Sequence, residues 1–377
     1  MIIGINKGFG NELSGLFYLS SSLGDTSHND NKKTSINNQS ARLMFKKQQL
    51  FDFEVHALFD NKQSNFFSPP SSQYDFRYKP LTYEFLDDHQ DNWVYTGVAS
   101  IDRLKIKYFF DNSDMTFGRQ AISWGSGRIW RPTDVFLAFS PLDLIRDYKP
   151  GIDLVRYTYY PNDFDSIDFV YHPSSNNEHS AAIFYSKTIG NVFLSFIYAN
   201  LLSSHVLGGN WEADINNFTF HFEASLIQDS EANESTVFAV TGVDYQFSNE
   251  WLMSLELYFN KAGYEYPVSN ERISNNTFFQ KGFTPQLARF LSGLSLSKPL
   301  NPLLNFQYVW LSAIQTQSTI IHSTLHQFSL NYSTSNESEL RVTSVISTGE
   351  EMKTPNSFSS EFGHIPNSIT LRYSYYF

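Results

Sequence analysis

The chain has 377 residues, a formal net charge of −11, 17% aromatic residues, 17% charged residues and no cysteine. The absence of cysteine excludes disulfide scaffolds, zinc fingers and thiol catalysis, and the acidic balance argues against nucleic-acid binding. The mean hydropathy is −0.32, and no apolar run approaches the roughly 20 residues of a transmembrane helix. A membrane β-barrel remains possible, because only alternate residues of its strands face lipid.

Alternation of apolar and polar residues recurs along the chain. The clearest segments are 51–59, 218–226, 253–259 and 304–310, where aromatic or aliphatic residues occupy every second position. Side chains of a strand point alternately to its two faces, so each segment predicts a strand with one apolar and one polar face. Such repetition does not fit a soluble sandwich, whose outward faces would be polar.

Short and long connections also alternate. Tight turns are predicted near 111–114, 162–165, 190–191, 215–216, 248–249, 300–301 and 334–338, and longer loops near 24–36, 61–94, 123–150, 261–285 and 349–366. The pattern favours one all-β, up-and-down antiparallel barrel over residues 1–377, with short periplasmic turns and long extracellular loops. Two periplasmic termini require an even strand number. Counting 36–60 as one strand gives 17, so we divide this segment at 46–49 into two strands. The predicted number is then about 18, with 16 as the alternative.

A basic ladder is predicted on the strand that contains residues 103–110. Arg103, Lys105 and Lys107 share one face, and the other face is apolar. A cation on a barrel exterior near the bilayer midplane costs about 2–4 kcal/mol, so the three cations should point into the lumen. The further basic residues expected to line the pore are Arg42, Arg119, Arg156, Arg289, Arg341 and Arg372. For Arg119 the alternation predicts either a change of face at Gly118 or a different register.

A run of unusual composition follows at 117–134, FGRQAISWGSGRIWRPTD. It resembles a signature of alginate-export-like and related proteobacterial outer-membrane barrels. Glycines and prolines in the 123–150 loop suit a segment folded into the lumen, where its charges could set pore width and field. The alternative is that these residues only hold the loop in shape. The candidate constriction residues are Trp124, Arg128, Arg131, Asp134, Asp143, Arg146, Asp147 and Lys149.

The final residues, 368–377, form the last predicted strand. Ile369, Leu371, Tyr373, Tyr375 and Phe377 share one face, and the other face is mostly polar. The segment resembles the closing strand of bacterial outer-membrane barrels, in which a terminal Phe preceded by alternating apolar residues is the usual assembly signal. The resemblance implies an assembly signal at Tyr373, Tyr375 and Phe377, read by the barrel-assembly machinery. An ordinary strand ending a soluble domain is the alternative.

These patterns predict a bacterial outer-membrane channel for small, anionic or amphipathic solutes. Acidic residues on inward faces, such as Asp52, Glu54, Glu223, Asp244 and Glu256, oppose a purely cationic lumen. The alternatives are export of an acidic exopolysaccharide, as the alginate-export resemblance implies, and a scaffold for a cell-envelope complex.

The expected partners are outer-membrane lipid, lipopolysaccharide, the transported solute or polysaccharide, and envelope proteins. No motif for catalysis or metal binding occurs, so neither an enzyme nor a cofactor is expected. The N-terminal residues do not have the pattern of a signal peptide, so for an exported protein we expect that the signal peptide has been removed or lies outside this chain.

Overall fold

The computed structural model describes residues 11–25, 33–48, 50–65, 77–90, 93–136, 148–174, 178–284, 286–314, 322–350 and 357–377. Nearly all of the regular structure is β-strand. The strands are β1 (Asn11–Asp25), β2 (Lys33–Gln48), β3 (Phe51–Ser64), β4 (Thr82–Gln90), β5 (Trp93–Phe109), β6 (Ser113–Gln120), β7 (Ile152–Asn162), β8 (Asp165–His172), β9 (Ser180–Ile189), β10 (Val192–Leu201), β11 (Ser204–Ile215), β12 (Phe218–Asp229), β13 (Glu234–Gln246), β14 (Leu252–Asn260), β15 (Val268–Ser269), β16 (Phe290–Asn301), β17 (Leu304–Ile314), β18 (His322–Ser335), β19 (Ser338–Thr348), β20 (Ser357–Phe358) and β21 (Asn367–Tyr376).

Eighteen of these strands form a closed antiparallel barrel, which confirms the predicted fold and count; the alternative of 16 strands is wrong. Each strand pairs with its neighbour along the chain, and β21 closes the ring on β1 from Leu16↔Tyr376 to Asp25↔Asn367. Three strands lie outside the ring. Strand β4 pairs only with the first half of β5, and β15 pairs with β20 in a separate two-stranded sheet.

The connections separate the barrel into two ends, which we call the turn end and the loop end. The turn end carries short connections such as Gly190–Asn191, between β9 and β10, and it also carries the C-terminus. The turn predicted at 300–301 lies slightly later, between Asn301 and Leu304. The loop end carries the predicted long segments, but also a two-residue turn at Leu202–Ser203, where both residues have positive φ.

The strands have apolar outer faces and polar inner faces. On β12, Phe218, Phe220 and Phe222 are exposed on the outside, whereas His221 and Glu223, which have the opposite parity, are buried. The predicted alternation of faces is therefore present in the structure. An exposed aromatic wall of this kind is typical of strands that contact lipid.

Two short helices lie in the connection between β14 and β16. They are α1 (Asn270–Ser274) and α2 (Thr277–Gln280). Across the parts of the chain that the structure describes, no helix has the length and apolar character needed to cross a membrane.

Candidate functional site: the 121–136 loop and the adjoining charge pairs

The loop that follows β6 crosses the inside of the barrel. We call residues 121–136 the lumen loop. It leaves the wall at Gln120, and its backbone reaches the side chain of Glu256 on β14. Seven wall strands, β7 to β13, separate β6 from β14 in the ring of 18. The loop therefore spans the interior, and its side chains meet those on inward strand faces.

Glu223 on β12 is the first anchor of the lumen loop. Its carboxylate is fully buried and accepts hydrogen bonds from the backbone N–H groups of Ser126 (2.9 Å), Gly127 (3.2 Å) and Thr133 (2.6 Å). The Thr133 hydroxyl donates a fourth bond at 2.7 Å. Successive backbone N–H groups form a concave site for an anion, and here a wall carboxylate occupies it.

Glu256 on β14 is the second anchor and is also fully buried. It accepts from the backbone N–H groups of Arg128 (2.5 Å), Ile129 (3.0 Å) and Trp130 (3.1 Å). His221 Nε2 lies 2.9 Å from the same carboxylate. The two glutamates thus hold consecutive stretches of the loop, and their charged oxygens satisfy backbone donors that burial removes from water.

Two glycines make this arrangement possible. Gly125 has a φ of +92°, a conformation that residues with a side chain rarely adopt, and an added Cβ would lie 2.6 Å from Glu223 Oε1. At Gly127 a Cβ would lie 1.8 Å from the carbonyl oxygen of Trp130. The Gly-x-Gly spacing therefore lets the backbone approach the carboxylate and fold tightly on itself.

Aromatic contacts fix the lumen loop at two points. Trp124 stacks on Phe184 of β9 with ring centroids 4.9 Å apart and planes at 3°. Trp130 stacks on Tyr258 of β14 at 5.3 Å. Both tryptophans are buried and belong to an apolar cluster of the barrel interior, to which strands from β7 to β19 contribute. Stacked pairs of this kind contribute about 0.5–1.5 kcal/mol beyond their burial.

Two charged residues of the lumen loop, Arg128 and Asp134, form ion pairs. Arg128 contacts Asp244 at 2.8 Å and Glu212 at 3.2 Å. Lys149 Nζ contacts Asp134 Oδ1 at 2.5 Å, and both are buried. Burial raises the pKa of the Asp134 carboxyl group and lowers the pKa of the Lys149 ammonium group. Arg128 is thereby held by β11 and β13, and Asp134 is held by Lys149; that the loop charges only hold the loop in shape stays a prediction.

The predicted constriction set also includes Arg131, Asp143, Arg146 and Asp147. Arg131 Nε donates to the carbonyl oxygen of Gly127 at 2.7 Å. Asp143, Arg146 and Asp147 lie outside the residues that the structure describes. Pore narrowing by the 123–150 loop stays a prediction.

Two ladder cations on β5 and one further inward cation on β7 each contact a carboxylate. Lys105 lies 3.0 Å from Glu54 of β3, and Lys107 lies 2.9 Å from Asp114 of β6. On β7, Arg156 lies 2.6 Å from Asp168. Strand β5 stands opposite the anchor strand β14, because eight wall strands separate the two in either direction. The ladder and the second anchor therefore face each other across the barrel.

The cation is the more exposed member of each of these pairs. The Lys107 side chain is 29% exposed and its partner Asp114 is 5% exposed. For Arg156 and Asp168 the values are 30% and 2%. The pairs are formally neutral, but the charge that a solute would meet is mainly positive.

Arg42 and Arg103 are buried at a β-bulge. The register between β3 and β5 shifts at His56/Ala57, where Asp102 is the extra residue. The Asp102 carboxylate accepts from Arg42 Nη1 at 2.6 Å and from Arg103 Nη1 at 3.0 Å. The ring of Tyr148 covers Arg42 at 4.3 Å. These two arginines belong to a buried network in the structure and offer little surface to a solute.

Arg119 lies within the wall. It pairs directly with Leu104 of β5, whose side chain is exposed on the outer face. Directly paired residues lie on the same face of a sheet, so Arg119 does not lie on the ladder face. Its guanidinium group binds both carboxylate oxygens of Asp153 at 2.8 Å and donates to the carbonyl oxygens of Ile101 and Lys79, both at 2.7 Å. It joins β5 and β7 where β6 ends, and the expectation of a lumen position for it is corrected.

The other predicted lumen arginines are spread around the ring. Arg341 and Arg372 pair in register on β19 and β21, and Arg372 is buried with its guanidinium 4.0 Å above the ring of Tyr18. Arg289 precedes β16 at the loop end and lies 3.6 Å from Glu265. The structure therefore does not bring these three together with the ladder on β5.

The terminal Phe377 extends the pairing that closes the barrel. Its N–H and carbonyl oxygen both bond to Gly15, at 3.0 and 2.8 Å. A Cβ on Gly15 would lie 2.2 Å from the Phe377 ring, so the ring lies directly over this glycine. Tyr375 packs beside it at 6.3 Å, and Tyr373 is exposed on the outer face. The role of these residues in assembly stays a prediction.

Comparisons with known proteins give a fold and no close relative. No family model and no curated protein sequence matches the chain. Among solved structures, it is similar to Acinetobacter baumannii OccAB2, with a TM-score of 0.61, 10% identity and coverage of 97% of this chain and 98% of the other. For A. baumannii OccAB1 the values are 0.60, 12%, 98% and 97%.

A third similar structure is the outer membrane protein OprD from Pseudomonas aeruginosa. Its TM-score is 0.57 at 10% identity, with coverage of 98% of this chain and 95% of the other. At this identity the similarity shows the fold alone, and it does not support the alginate-export resemblance in particular. The chain therefore has the barrel fold of these outer-membrane proteins.

Proposed function

We propose that this protein is an outer-membrane channel through which small anionic or amphipathic solutes pass. The observation that carries the proposal is the asymmetry of the charge pairs of Lys105, Lys107 and Arg156, in which the cation is more exposed than its carboxylate, by 27% against 17%, 29% against 5% and 30% against 2%. A lumen wall of accessible cations raises the local concentration of anions. Because each cation is compensated, a solute is held weakly and can leave again, as conduction requires.

The exposed apolar outer wall and the similarity to OprD support a location in the outer membrane. In this orientation the turn end and both termini face the periplasm, the loop end faces the outside, and the assembly machinery reads the strand that ends at Phe377. The lumen loop fills the side of β8–β16, and solutes then pass along the opposite side, past Lys105 and Lys107 on β5.

Ion selectivity in planar bilayers tests the proposal. Replacing Lys105, Lys107 and Arg156 together by Gln should move the reversal potential in a salt gradient towards cation selectivity. The matched control is Lys187→Gln, since Lys187 is paired with Asp165 on the outer face at the turn end. An unchanged reversal potential in the triple variant would show that the ladder does not set selectivity.

The same recordings separate the alternative functions. A wild-type barrel that never opens would favour the scaffold hypothesis. Block of the wild-type current by soluble polyuronate, and not by neutral dextran, would favour export of an acidic polysaccharide.

A further inference from the structure

An apolar groove lies on the outward face of β7–β10, away from the lumen. Its volume is about 370 Å³, and its outward-facing lining includes Val155, Tyr157, Phe169, Tyr171 and Ile183. Ala181 provides the floor, because it pairs with Tyr171 on β8 and with Asn200 on β10 and has a much smaller side chain than either. The groove therefore results from one small residue among larger ones on the outer wall.

The loop-end rim of the groove is polar. His179 stacks on Tyr171 with centroids 5.8 Å apart, and His205 stacks on Tyr198 at 6.5 Å. Both imidazoles are exposed, and Asn200 lies between them on the groove wall. His179 Nδ1 accepts the N–H of Ser174 at 3.2 Å, so a neutral His179 carries its hydrogen on Nε2 and can donate to a ligand.

We infer that this groove binds one acyl chain of a phosphorylated lipid of the outer leaflet, with the phosphate at the His179–His205 rim. The inference rests on the membrane location and orientation proposed above. An apolar trough open to the bilayer suits an acyl chain, whereas imidazole and amide donors at the level where the strands end suit a head group. The half-buried Glu178 beside His179 is the acidic neighbour of this rim.

Native mass spectrometry of the purified barrel, titrated with bis-phosphorylated lipid A, tests the site. Ala181→Trp fills the groove and should weaken lipid A binding by about tenfold or more. A tenfold loss of affinity is smaller than the free energy that burial of two methylene groups contributes. The matched control is Ala224→Trp on β12, an outward alanine outside the groove, which should bind like the wild type. Equal binding by the two variants would overturn the inference.

The head-group part has its own test. The double variant His179→Asn with His205→Asn should lose the preference for bis-phosphorylated over dephosphorylated lipid A; a retained preference overturns the assignment of the rim. Equally tight binding of phosphatidylethanolamine by the wild type would overturn the choice of lipid. The Ala181→Trp variant should still conduct in bilayers, so that failure of the lipid site and failure of the channel are distinguishable.

Discussion

Replacing Glu223 by Gln is expected to release the lumen loop from β12. The carboxylate receives four hydrogen bonds, two at each oxygen. In either orientation the new amide keeps one acceptor oxygen and turns an NH2 group towards two donors. Hydrogen bonds to charged groups contribute about 1.5–3 kcal/mol each. Two such bonds are lost, so the free energy that holds the lumen loop on β12 should fall by about 3–6 kcal/mol. The side chain keeps its size, which leaves the packing of the loop unchanged.

Hydrogen exchange measured by mass spectrometry reports this loss directly. Protection of residues 121–136 should fall by about 100-fold or more, since every 1.4 kcal/mol is a factor of ten. Single-channel recordings should show a larger or noisier conductance at the same time. Glu234→Gln, at an exposed position where β13 begins, is the control and should leave both readouts unchanged. Protection like that of the wild type in the Glu223 variant would refute the anchoring role.

Three further predictions concern single positions. Gly125→Ala should lower the protection of the lumen loop against hydrogen exchange, because a left-handed backbone conformation costs an L-residue about 1–2 kcal/mol. The control is Gly190→Ala, which is also at positive φ but has open space around it. Equal effects of the two variants would contradict a role for the contact between Gly125 and Glu223. Phe377→Ala should slow insertion of urea-unfolded protein into vesicles, measured by gel mobility, and an unchanged rate would remove the terminal ring from assembly. Burial lowers the pKa of His364 to about 4, so its contribution to stability is present above about 6.5 and is lost as the pH falls through 4. Exchange of residues 357–365 should therefore rise more between pH 7 and 4 in the wild type than in His364→Gln, and equal rises would contradict the shift.

The strand count could be predicted from the sequence because it depends on local alternation and on parity. On β21, Ile369 and Leu371 are exposed outward while Arg372 and Ser374 are buried, as the alternation requires. The two-residue turn at Leu202–Ser203 carries no glycine to mark its positive φ, so its composition gave no signal.

The anchoring of the lumen loop could not be predicted in the same way. Alternation predicts only that Glu223 and Glu256 are inward acids that oppose a cationic lumen, whereas in the structure both carboxylates bind backbone N–H groups. Their partners are 90 to 128 residues away in the chain, and local pattern does not encode such contacts. The available signal was a buried acid of inward parity together with a Gly-x-Gly run able to present successive N–H groups. Alternation also does not show where β6 ends. It therefore does not predict that the Arg119 side chain binds Asp153 of β7 and the backbone of β5 instead of lining the lumen.

The proposed path of conduction runs past the ladder on β5. It can be tested by single-channel recording of the purified wild-type protein in planar bilayers. We expect discrete conductance steps with a reversal potential on the anion-selective side. Insertion into the bilayer without conductance steps, or with cation-selective steps, would contradict it.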